Sequence, residues 1–520
     1  MLLEQALEGL ADTHFLGARN LNIEGLEYDS RRVVAGEVFF AIRGMKQDGA
    51  QFVPEALSRG AVAVVSETIP DSIPAKVSPA WVQVPNVRLA LALAANRFYG
   101  EPSRHIKLVG ITGTNGKTTV ACILASILKE ANWRPGLFGT IEYSLEYGQN
   151  ESCWPATNTT PESLELQKML RQVVDRGGRS GVMEVSSHAL ALHRVAGCSF
   201  HAAVFTNLSR DHLDFHGDME SYFSSKQRLF LPSPANAGPV FAVLNADDQR
   251  YSALRDKTAG RVISYAIDTP ADVTTRHWKR SRKGLQFTAK TPAGPVEVCS
   301  SLPGRHNVYN LLASVATAMT LDIAAQQISQ GILAARVPGR LEPIEQGQPF
   351  GVFVDFAHTD DALRQLLASA REWTESGRII LVFGCGGDRD RGKRPLMGMA
   401  AGEADIAVAT SDNPRSEDPL SVLNDVIVGL QKTKTHYEVE PDRARAIELA
   451  LREARPGDTV LLAGKGHEPY QWIGDQKIPF DDREVARAVL RKLGYDSKET
   501  RKRDSEVGSR KDEGSSQLAS

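Results

Sequence analysis

The segment from residue 106 to residue 131 constrains the fold of this chain more than any other segment. Residues 106–111 form a short apolar run, and residues 113–119 read Gly-Thr-Asn-Gly-Lys-Thr-Thr. An amphipathic, helix-like stretch then runs from about Thr118 to Ala131. A buried strand that enters a helix through a glycine-rich turn is typical of parallel α/β sheets. The segment therefore predicts an α/β fold.

The glycine-rich loop has the composition of an anion-binding site. Glycines let backbone N–H groups approach phosphate oxygens, and the helix N-terminus adds a favourable dipole. Lys117 can reach the outer phosphates of a nucleoside triphosphate, and Thr118 can contact Mg²⁺. The commoner pattern GxxxxGK[ST] is not met, because Ile111 stands at its first glycine, and a shorter form is met instead. An ordinary strand–helix turn is the alternative, which the Lys-Thr pair makes the weaker interpretation.

The length of 520 residues and the alternation of apolar strands and helices predict three domains. Residues 1–103 form a smaller N-terminal α/β domain, and residues 104–336 a central phosphate-loop domain with a parallel sheet. Residues 337–496 form a C-terminal Rossmann-like α/β domain. Residues 497–520 are rich in charged residues and serine, so we predict a disordered tail. The strands predicted in the last two domains are 106–111, 180–185, 202–206, 239–245, 352–354, 379–383, 406–409 and 459–463.

Composition narrows the class of protein. The net charge of −2 gives no reason to expect a nucleic-acid partner. No apolar run reaches membrane-spanning length, and the first residues do not resemble a signal peptide. The five cysteines form no CxxC pair, which favours free, mostly buried thiols in a reducing cytoplasm. We therefore expect a cytoplasmic protein, a monomer, that neither binds nucleic acid nor inserts into a membrane.

Acidic and histidine side chains follow two predicted strands of the central domain. Glu184 lies at the end of one strand, and His212 follows the next. Because the carboxyl ends of parallel strands meet at one edge, both should lie near the phosphate loop. They are candidate Mg²⁺ ligands, the carboxylate being the better one for a hard cation. His212 could equally cap a helix or lie at the surface, and composition alone interprets Lys226 as a solvated helix lysine.

A polar tetrapeptide, Asp412-Asn413-Pro414-Arg415, stands some 300 positions after the loop. Two polar side chains and an arginine on a turn made rigid by proline could bind a small zwitterion. A surface Asn-Pro turn is the alternative. Together with the phosphate loop, the tetrapeptide suggests an enzyme that uses ATP to attach an amino acid to another molecule.

Across about residues 20–490 the motifs resemble those of the Mur ligase family in order and spacing. Within that family they are most similar to the ligases that add the third residue of the peptidoglycan peptide. The segments that carry the resemblance are residues 29–31, 113–119, 158–161, 184–188, 194, 206–214, 302–310, 338–340, 355–359, 384–389, 412–415 and 464–468.

The resemblance implies an ATP-dependent amide ligase that acts in cytoplasmic peptidoglycan precursor synthesis. It would add meso-2,6-diaminopimelate to UDP-N-acetylmuramoyl-L-alanyl-D-glutamate through an acyl phosphate, with ATP as substrate and Mg²⁺ as cofactor. The N-terminal domain would bind the uridine nucleotide, the central domain ATP, and the C-terminal domain the amino acid.

The resemblance also implies roles for individual residues. Lys117, Lys226 and Arg340 would be catalytic, with Lys226 carried as a carbamate (N6-carboxylysine). ATP would be bound by Gly113, Thr114, Asn115, Gly116, Lys117, Thr118, Thr119, Asn307, Asn310, Arg340, Asp355 and His358. The UDP-linked substrate would be bound by Ser30, Asn158, Thr159, Thr160, Ser186 and Arg194. Diaminopimelate would be bound by Arg389, Asp412, Asn413, Pro414, Arg415, Gly464 and Glu468. Mg²⁺ would be held by Thr118, Glu184, His212 and the Lys226 carbamate.

Arg415 bears on the choice of amino acid, since lysine-adding relatives differ at this position. Diaminopimelate carries a second carboxylate at its far end, which an arginine can take in a bidentate fork. Lysine presents an ammonium there, which Arg415 would repel. Asp412 and Glu468 can pair with ammonium groups.

Four alternatives to this activity differ in the residues they require. A lysine-adding ligase is disfavoured by Arg415, and a folylpolyglutamate synthetase by residues 29–31. A non-catalytic Mur-like scaffold would be expected to lack Lys117, Lys226 or the amino-acid pocket, and all three are present. A simple phosphate-loop ATPase leaves the charged C-terminal pocket unexplained.

Overall fold

A computed structural model of the chain describes residues 1–44, 47–69, 80–281, 284–374 and 376–495. The described residues form sheets of five, nine, three, six and two strands, accompanied by helices. The predicted α/β class is confirmed. The predicted disordered tail, residues 497–520, lies outside the described residues.

The N-terminal unit is built on the five-stranded sheet. Its elements are α1 (Leu3–Ala6), β1 (His14–Leu16), β2 (Gly25–Glu27), β3 (Glu37–Phe40), α2 (Val53–Ser58), β4 (Ala63–Ser66), β5 (Ala80–Gln83) and α3 (Val87–Phe98). The strand order is β1-β5-β4-β3-β2, and only β1 pairs antiparallel.

The central unit contains the nine-stranded sheet. Its first elements are β6 (Lys107–Thr112), α4 (Lys117–Glu130), β7 (Gly136–Phe138), β8 (Glu142–Ser144), β9 (Cys153–Pro155), α5 (Ser163–Asp175), β10 (Ser180–Glu184), α6 (Ser187–Ala191), β11 (Ala202–Phe205), α7 (Leu213–His216) and α8 (Met219–Gln227). Those that follow are β12 (Phe241–Asn245), α9 (Tyr251–Arg255), β13 (Arg261–Ala266), β14 (Val273–Thr274), β15 (Trp278–Ser281), β16 (Gly284–Ala289), β17 (Val296–Ser300), α10 (Arg305–Thr320) and α11 (Ala325–Ala334).

The order of the large sheet is β14-β13-β12-β11-β6-β10-β7-β8-β9, and pairing is parallel from β14 to β7. Apolar residues of α4, α10 and α11 cover one face, and those of α5, α6 and α8 cover the other. The predicted parallel sheet with helices on both faces is therefore confirmed. Strand β6, which enters the phosphate loop, lies between β11 and β10, so the loop emerges among the carboxyl ends of neighbouring strands.

The C-terminal unit has a six-stranded sheet and a separate hairpin. Its elements are β18 (Glu342–Pro343), β19 (Gly351–Asp355), α12 (Asp360–Trp373), β20 (Ile379–Phe383), α13 (Lys393–Ala401), β21 (Ile406–Ala409), α14 (Pro419–Leu430), β22 (His436–Val439), α15 (Arg443–Glu453), β23 (Thr459–Ala463), β24 (Tyr470–Ile473), β25 (Gln476–Pro479) and α16 (Asp482–Lys492). The order is β18-β19-β23-β20-β21-β22, with β18 alone antiparallel.

Several antiparallel features were not predicted from the sequence. Strands β8 and β9 extend the large sheet with antiparallel pairing, β15, β16 and β17 form a three-stranded sheet, and β24 and β25 form a hairpin. Exposed residues such as Lys279 and Arg280 interrupt any apolar run in β15, and all of β25 is exposed. The predicted domain boundaries stay predictions; both lie in segments that join one sheet to the next.

In the part of the chain that the structure describes, no helix combines the length and apolar character needed to cross a membrane. The cysteines are unpaired, and Cys122, Cys198 and Cys385 are buried, as expected for free thiols.

Candidate active site

A cavity of about 350 Å³ lies between the carboxyl edge of the central sheet and the C-terminal unit. Side chains that are far apart in sequence meet in its walls. The predicted site residues that line it are Thr114, Asn115, Gly116, Lys117, Thr118, Thr119, Thr159, Glu184, Ser186, His212, Lys226, Asn307, Asn310, Arg340, Asp355, His358, Arg389, Asp412, Asn413, Arg415, Gly464 and Glu468.

The remaining predicted residues do not line this cavity. Gly113 begins the phosphate loop, and Pro414 stands between Asn413 and Arg415. Asn158 lines a second cavity, of about 800 Å³, between the N-terminal sheet and α5. Ser30 is buried in the N-terminal unit, where its hydroxyl donates to Glu55 over 2.7 Å, and it lines neither cavity. Thr160 is fully buried behind the wall of the first cavity and accepts a hydrogen bond from the Ser186 backbone.

Arg194 also stands behind the wall. Its guanidinium donates to the Thr160 carbonyl over 3.0 Å and pairs with Glu162 at 2.6 Å. The residues predicted for the UDP-linked substrate therefore do not meet in one place: some line the first cavity, one lines the second, and the others line neither. Most residues predicted for ATP and for the amino acid line the first cavity.

The phosphate loop requires glycine at two positions. Gly113 and Gly116 have φ of +146° and +86°, a region that side chains rarely adopt. A Cβ atom at Gly113 would overlap the Thr206 hydroxyl, and one at Gly116 would overlap the Asn310 amide. The backbone can therefore approach a ligand closely here. Lys117, in the first turn of α4, donates to the carbonyls of Gly113 at 3.0 Å and Thr114 at 2.8 Å.

Lys226 is buried, with 1 % of its surface exposed, so its interpretation as a solvated helix lysine is wrong. Its ammonium group donates to the Gly113 carbonyl over 2.8 Å and lies 4.4 Å from the centre of the Tyr222 ring. Burial, and then the charge of Lys117, hold the pKa of Lys226 well below its usual value. A lowered pKa increases the fraction of the neutral amine, which is the nucleophilic form of lysine.

Oxygen donors suited to Mg²⁺ lie beside the loop. The Thr118 hydroxyl donates to the Glu184 carboxylate over 2.9 Å, and the Thr140 backbone N–H donates to the other oxygen over 2.7 Å. His212 begins α7 but makes no side-chain capping bond, and its ring faces the cavity. Burial and neighbouring charges lower the pKa of His212, which favours the neutral form that can bind a metal. A hydroxyl, a carboxylate and an imidazole that line one cavity are groups that a divalent cation can bind.

Arg340 links the C-terminal unit to the phosphate loop. Its guanidinium donates to the Thr118 hydroxyl over 3.2 Å and stacks 4.5 Å from the centre of the Phe356 ring. Its Nη1 is buried and donates to no group among the described residues. An unused arginine donor beside a phosphate loop is a position for a phosphate oxygen. Asp355 supports the segment by accepting from the Leu341 backbone over 2.7 Å.

The β24–β25 hairpin is hydrogen-bonded to the tetrapeptide Asp412-Asn413-Pro414-Arg415. The Asn413 side-chain oxygen accepts from the Trp472 backbone over 2.9 Å, and Gln471 donates to the Asp412 carbonyl over 2.7 Å. The Arg415 guanidinium lies 5.4 Å from the Trp472 ring centre and donates to the Gly387 carbonyl. Sequence reasoning missed the hairpin, although Tyr470 and Trp472 alternate with polar residues in the manner of a strand.

Positive charges meet at one end of this pocket. Burial, and then the nearby charge of Arg389, lower the pKa of Arg415. Two guanidinium groups in one wall repel each other until a carboxylate lies between them. Asp412, Asn413 and Glu468 line the same pocket, and Glu468 accepts from Asn413 over 2.8 Å. The pocket therefore holds side chains of both charges, as a zwitterionic ligand requires.

Direct contacts join the central and C-terminal units around the cavity. Asn115, in the phosphate loop, donates to Asp361 of α12 over 2.9 Å. His306 of α10 and Ser369 of α12 are hydrogen-bonded at 3.1 Å. Asp361 was not among the predicted residues, because no local pattern connects it to a loop 246 positions earlier.

Known families match each part of the chain. The Mur ligase family catalytic domain matches residues 22–99, the Mur ligase middle domain residues 111–318, and the Mur ligase glutamate ligase domain residues 339–466.

Two similar proteins are named UDP-N-acetylmuramoyl-L-alanyl-D-glutamate--2,6-diaminopimelate ligase. That of Solibacter usitatus is 51% identical, across 91% of this chain and 94% of that protein. That of Caldanaerobacter subterraneus subsp. tengcongensis is 44% identical, across 91% and 96%. The chain belongs to the Mur ligase family.

Solved structures agree with this assignment. One of a UDP-N-acetylmuramoyl-L-alanyl-D-glutamate--2,6-diaminopimelate ligase is 31% identical, with a TM-score of 0.66, over 95% of this chain and 99% of that one. MurF ligase from Thermotoga maritima, in complex with ADP, is 20% identical with a TM-score of 0.57, over 94% and 100%. At that identity the second likeness bears on the fold alone.

Proposed function

We propose that this protein is an ATP-dependent ligase that adds meso-2,6-diaminopimelate to UDP-N-acetylmuramoyl-L-alanyl-D-glutamate during peptidoglycan precursor synthesis. The observation that carries the proposal is the single cavity in which the phosphate loop faces the amino-acid pocket. A phosphorylated carboxylate and an incoming amine can meet there without leaving the protein. The names of the similar proteins support the same activity.

The reaction proceeds in two steps. The side-chain carboxylate of D-glutamate attacks the γ-phosphorus of ATP, which releases ADP and leaves an acyl phosphate. A neutral amine of diaminopimelate then attacks the acyl carbon, and the tetrahedral intermediate expels phosphate. Lys117 and Arg340 lie where they would offset the negative charge of the transferring phosphoryl group. The protein contributes positioning and charge neutralisation.

We further propose that Thr118, Glu184, His212 and a carbamate on Lys226 hold Mg²⁺. A bound Mg²⁺ would neutralise charge on the triphosphate. The depressed pKa of Lys226 supports the carbamate, because a neutral amine adds to CO₂ and releases one proton. Carbamylation would convert the buried cation into an anion with two metal-binding oxygens.

The ends of the pocket support the choice of diaminopimelate over lysine. Arg415 and Arg389 would bind the distal carboxylate, and Asp412 and Glu468 an ammonium group. Lysine would place its side-chain ammonium against the two guanidinium groups. A non-catalytic scaffold is not favoured, because Lys117, Lys226 and the pocket are all retained. A cytoplasmic location is part of the proposal, and the monomeric state stays a prediction.

The first experiment measures phosphate release from ATP in the presence of the UDP-linked dipeptide, with diaminopimelate or L-lysine offered in parallel. We expect release with diaminopimelate alone. Release with lysine alone would keep the ligase and overturn the role of Arg415, and release with neither would favour a scaffold.

A matched pair of variants tests the pocket in the same assay. Arg415→Met removes hydrogen bonds to a charged group, so we expect kcat/KM for diaminopimelate to fall by about 10- to 100-fold. Arg391→Met is the control, because Arg391 belongs to the same loop as Arg389 but pairs with Asp425 at the surface. An equal effect of both variants would contradict the assignment.

A further inference from the structure

A lysine with no assigned role lies directly behind the amino-acid pocket. Lys465 follows β23 and stands between Gly464 and Glu468 in the sequence, and both of those residues line the first cavity. Lys465 itself is 0 % exposed and lines neither the first nor the second cavity. It therefore cannot touch a ligand in the cavity. Any effect on the reaction must pass through the groups that it contacts.

Those groups are the pocket residues themselves. The Lys465 ammonium donates to the Asn413 side-chain oxygen over 3.1 Å and to Glu468 Oε2 over 3.2 Å. Asp412 Oδ1 lies 3.7 Å away and accepts no hydrogen bond from the described residues. A buried ammonium group needs such partners, because an unpaired charge in the interior is unfavourable by several kcal/mol.

Lys465 also determines how Asn413 is oriented. The amide oxygen of Asn413 accepts from both Lys465 and the Trp472 backbone, while its nitrogen donates to Glu468 Oε2. With two donors at the oxygen and a carboxylate at the nitrogen, the amide has one satisfactory orientation. Glu468 Oε2 is in turn held by Lys465 and Asn413, which leaves Oε1 for a ligand.

The contacts of Lys465 also determine the net charge of the part of the pocket formed by Asp412, Asn413 and Glu468. Asp412 and Glu468 contribute two carboxylates, and Lys465 contributes one buried ammonium between them. One negative charge therefore remains to receive one ammonium of the ligand. Without Lys465 the two carboxylates would lose the cation between them, and they would repel each other more strongly at low dielectric.

We propose that Lys465 is a positioning residue that holds Asn413 and Glu468 in place and sets the ammonium end of the pocket to a single negative charge. The inference rests on the proposed function, since it concerns the binding of diaminopimelate. It predicts an effect on the KM for this amino acid that the other two substrates do not share.

The test compares Lys465→Met, Lys465→Arg and Lys477→Met with the unchanged enzyme in the phosphate-release assay. Lys477 is the matched control, because it lies 4.3 Å from the centre of the same Tyr470 ring that Lys465 approaches at 5.7 Å but is exposed. We expect Lys465→Met to raise KM for diaminopimelate about thirtyfold or more, with a much smaller change in kcat. KM for ATP and for the UDP-linked dipeptide should stay within about twofold.

Lys465→Arg should recover most of the affinity, and Lys477→Met should behave as the unchanged enzyme. A double variant, Lys465→Met with Glu468→Gln, removes the surplus negative charge, so it should bind diaminopimelate better than Lys465→Met alone. Tighter diaminopimelate binding by the double variant than by Lys465→Met would show that the net charge of the pocket determines affinity. A loss of protein stability would not produce this result. If Lys465→Met does not fold, Lys465→Gln replaces it in both the single and the double variant, since it also removes the positive charge.

A KM for diaminopimelate within twofold of normal in Lys465→Met overturns the inference. So does an equal rise in all three KM values together with a lower melting temperature, or a double variant worse than the single one. An unchanged enzyme that does not use diaminopimelate overturns the proposed function and the inference with it. An unchanged enzyme that uses it, beside an unaffected Lys465→Met, overturns the inference alone.

Discussion

Two buried lysines lie near the cavity in different surroundings. Lys226 is 1 % exposed and Lys465 is 0 % exposed. Lys226 donates to a backbone carbonyl and has a second cation, Lys117, beside it. Lys465 has an amide oxygen and two carboxylates around it. Burial alone therefore does not define what a lysine does.

The difference lies in the groups that surround each side chain. Around Lys226, desolvation and a neighbouring positive charge both disfavour the ammonium form, so the amine is available for covalent chemistry. Around Lys465, an amide oxygen and two carboxylates provide hydrogen-bond and ion-pair partners, so this side chain links the residues of the pocket wall.

The largest effect is expected at Lys226. Lys226→Met removes the proposed carbamate, so kcat should fall by about 10²- to 10³-fold, comparable to the loss of an electrostatic contact at a reacting group. Phosphate release measures the loss, and a retained melting temperature excludes unfolding. Activity within a few-fold of normal would remove Lys226 from the mechanism.

Labelling with ¹³C-bicarbonate tests directly whether Lys226, and not Lys465, carries a carbamate. Because burial and the charge of Lys117 lower the pKa of Lys226, we expect a carbamate carbon resonance from this residue in the NMR spectrum. The resonance should disappear in Lys226→Met and persist in Lys465→Met. A signal that depends on Lys465 would reverse our interpretation of the two sites.

A smaller effect is expected from Gly464→Ala, which disturbs the Lys465 end alone. Gly464 has a φ of +113°, and an added Cβ would lie 3.1 Å from Asp412 Oδ2. KM for diaminopimelate should rise several-fold, and the variant should lose about 1–2 kcal/mol of stability from backbone strain. Gly457→Ala is the control, since Gly457 has a φ of +91° with open space around it. An unchanged KM in Gly464→Ala would show that Asp412 tolerates displacement.

The last effect concerns pH and the contact between the central and C-terminal units. Burial lowers the pKa of His306 to about 4 from an ordinary value near 6.5. Between these pH values the unfolded chain binds more protons than the folded one, so stability falls as pH decreases from 6.5 to 4. The expected contribution is at most about 1.4 kcal/mol per pH unit.

Urea unfolding at pH 7 and pH 5 measures this dependence, and His306→Gln should reduce it. Above pH 6.5 the two proteins should show the same slope with pH. A variant that keeps the full acid dependence would assign it to other buried histidines.

Local sequence was sufficient for the elements whose signals are contiguous. Strand β20 and strand β23 have the predicted bounds, and α4 begins one residue before the predicted start. In each, a buried apolar run or a glycine-rich turn is visible within a few residues. The β15–β17 sheet and the β24–β25 hairpin were missed because their exposed residues give no apolar run. Their stability comes from pairing with partners that the local pattern does not identify.

The available chemistry follows from the order of the amino acids alone: a loop that can bind phosphate and, later in the chain, a turn that can bind a zwitterion. Which lysine lies next to another cation and which lies among carboxylates depends on the fold. Lys226 meets Gly113 across 113 positions, and Lys465 meets Asn413 across 52. A side chain's charge state depends on the dielectric and the charges around it, and those are supplied by residues that only folding brings together.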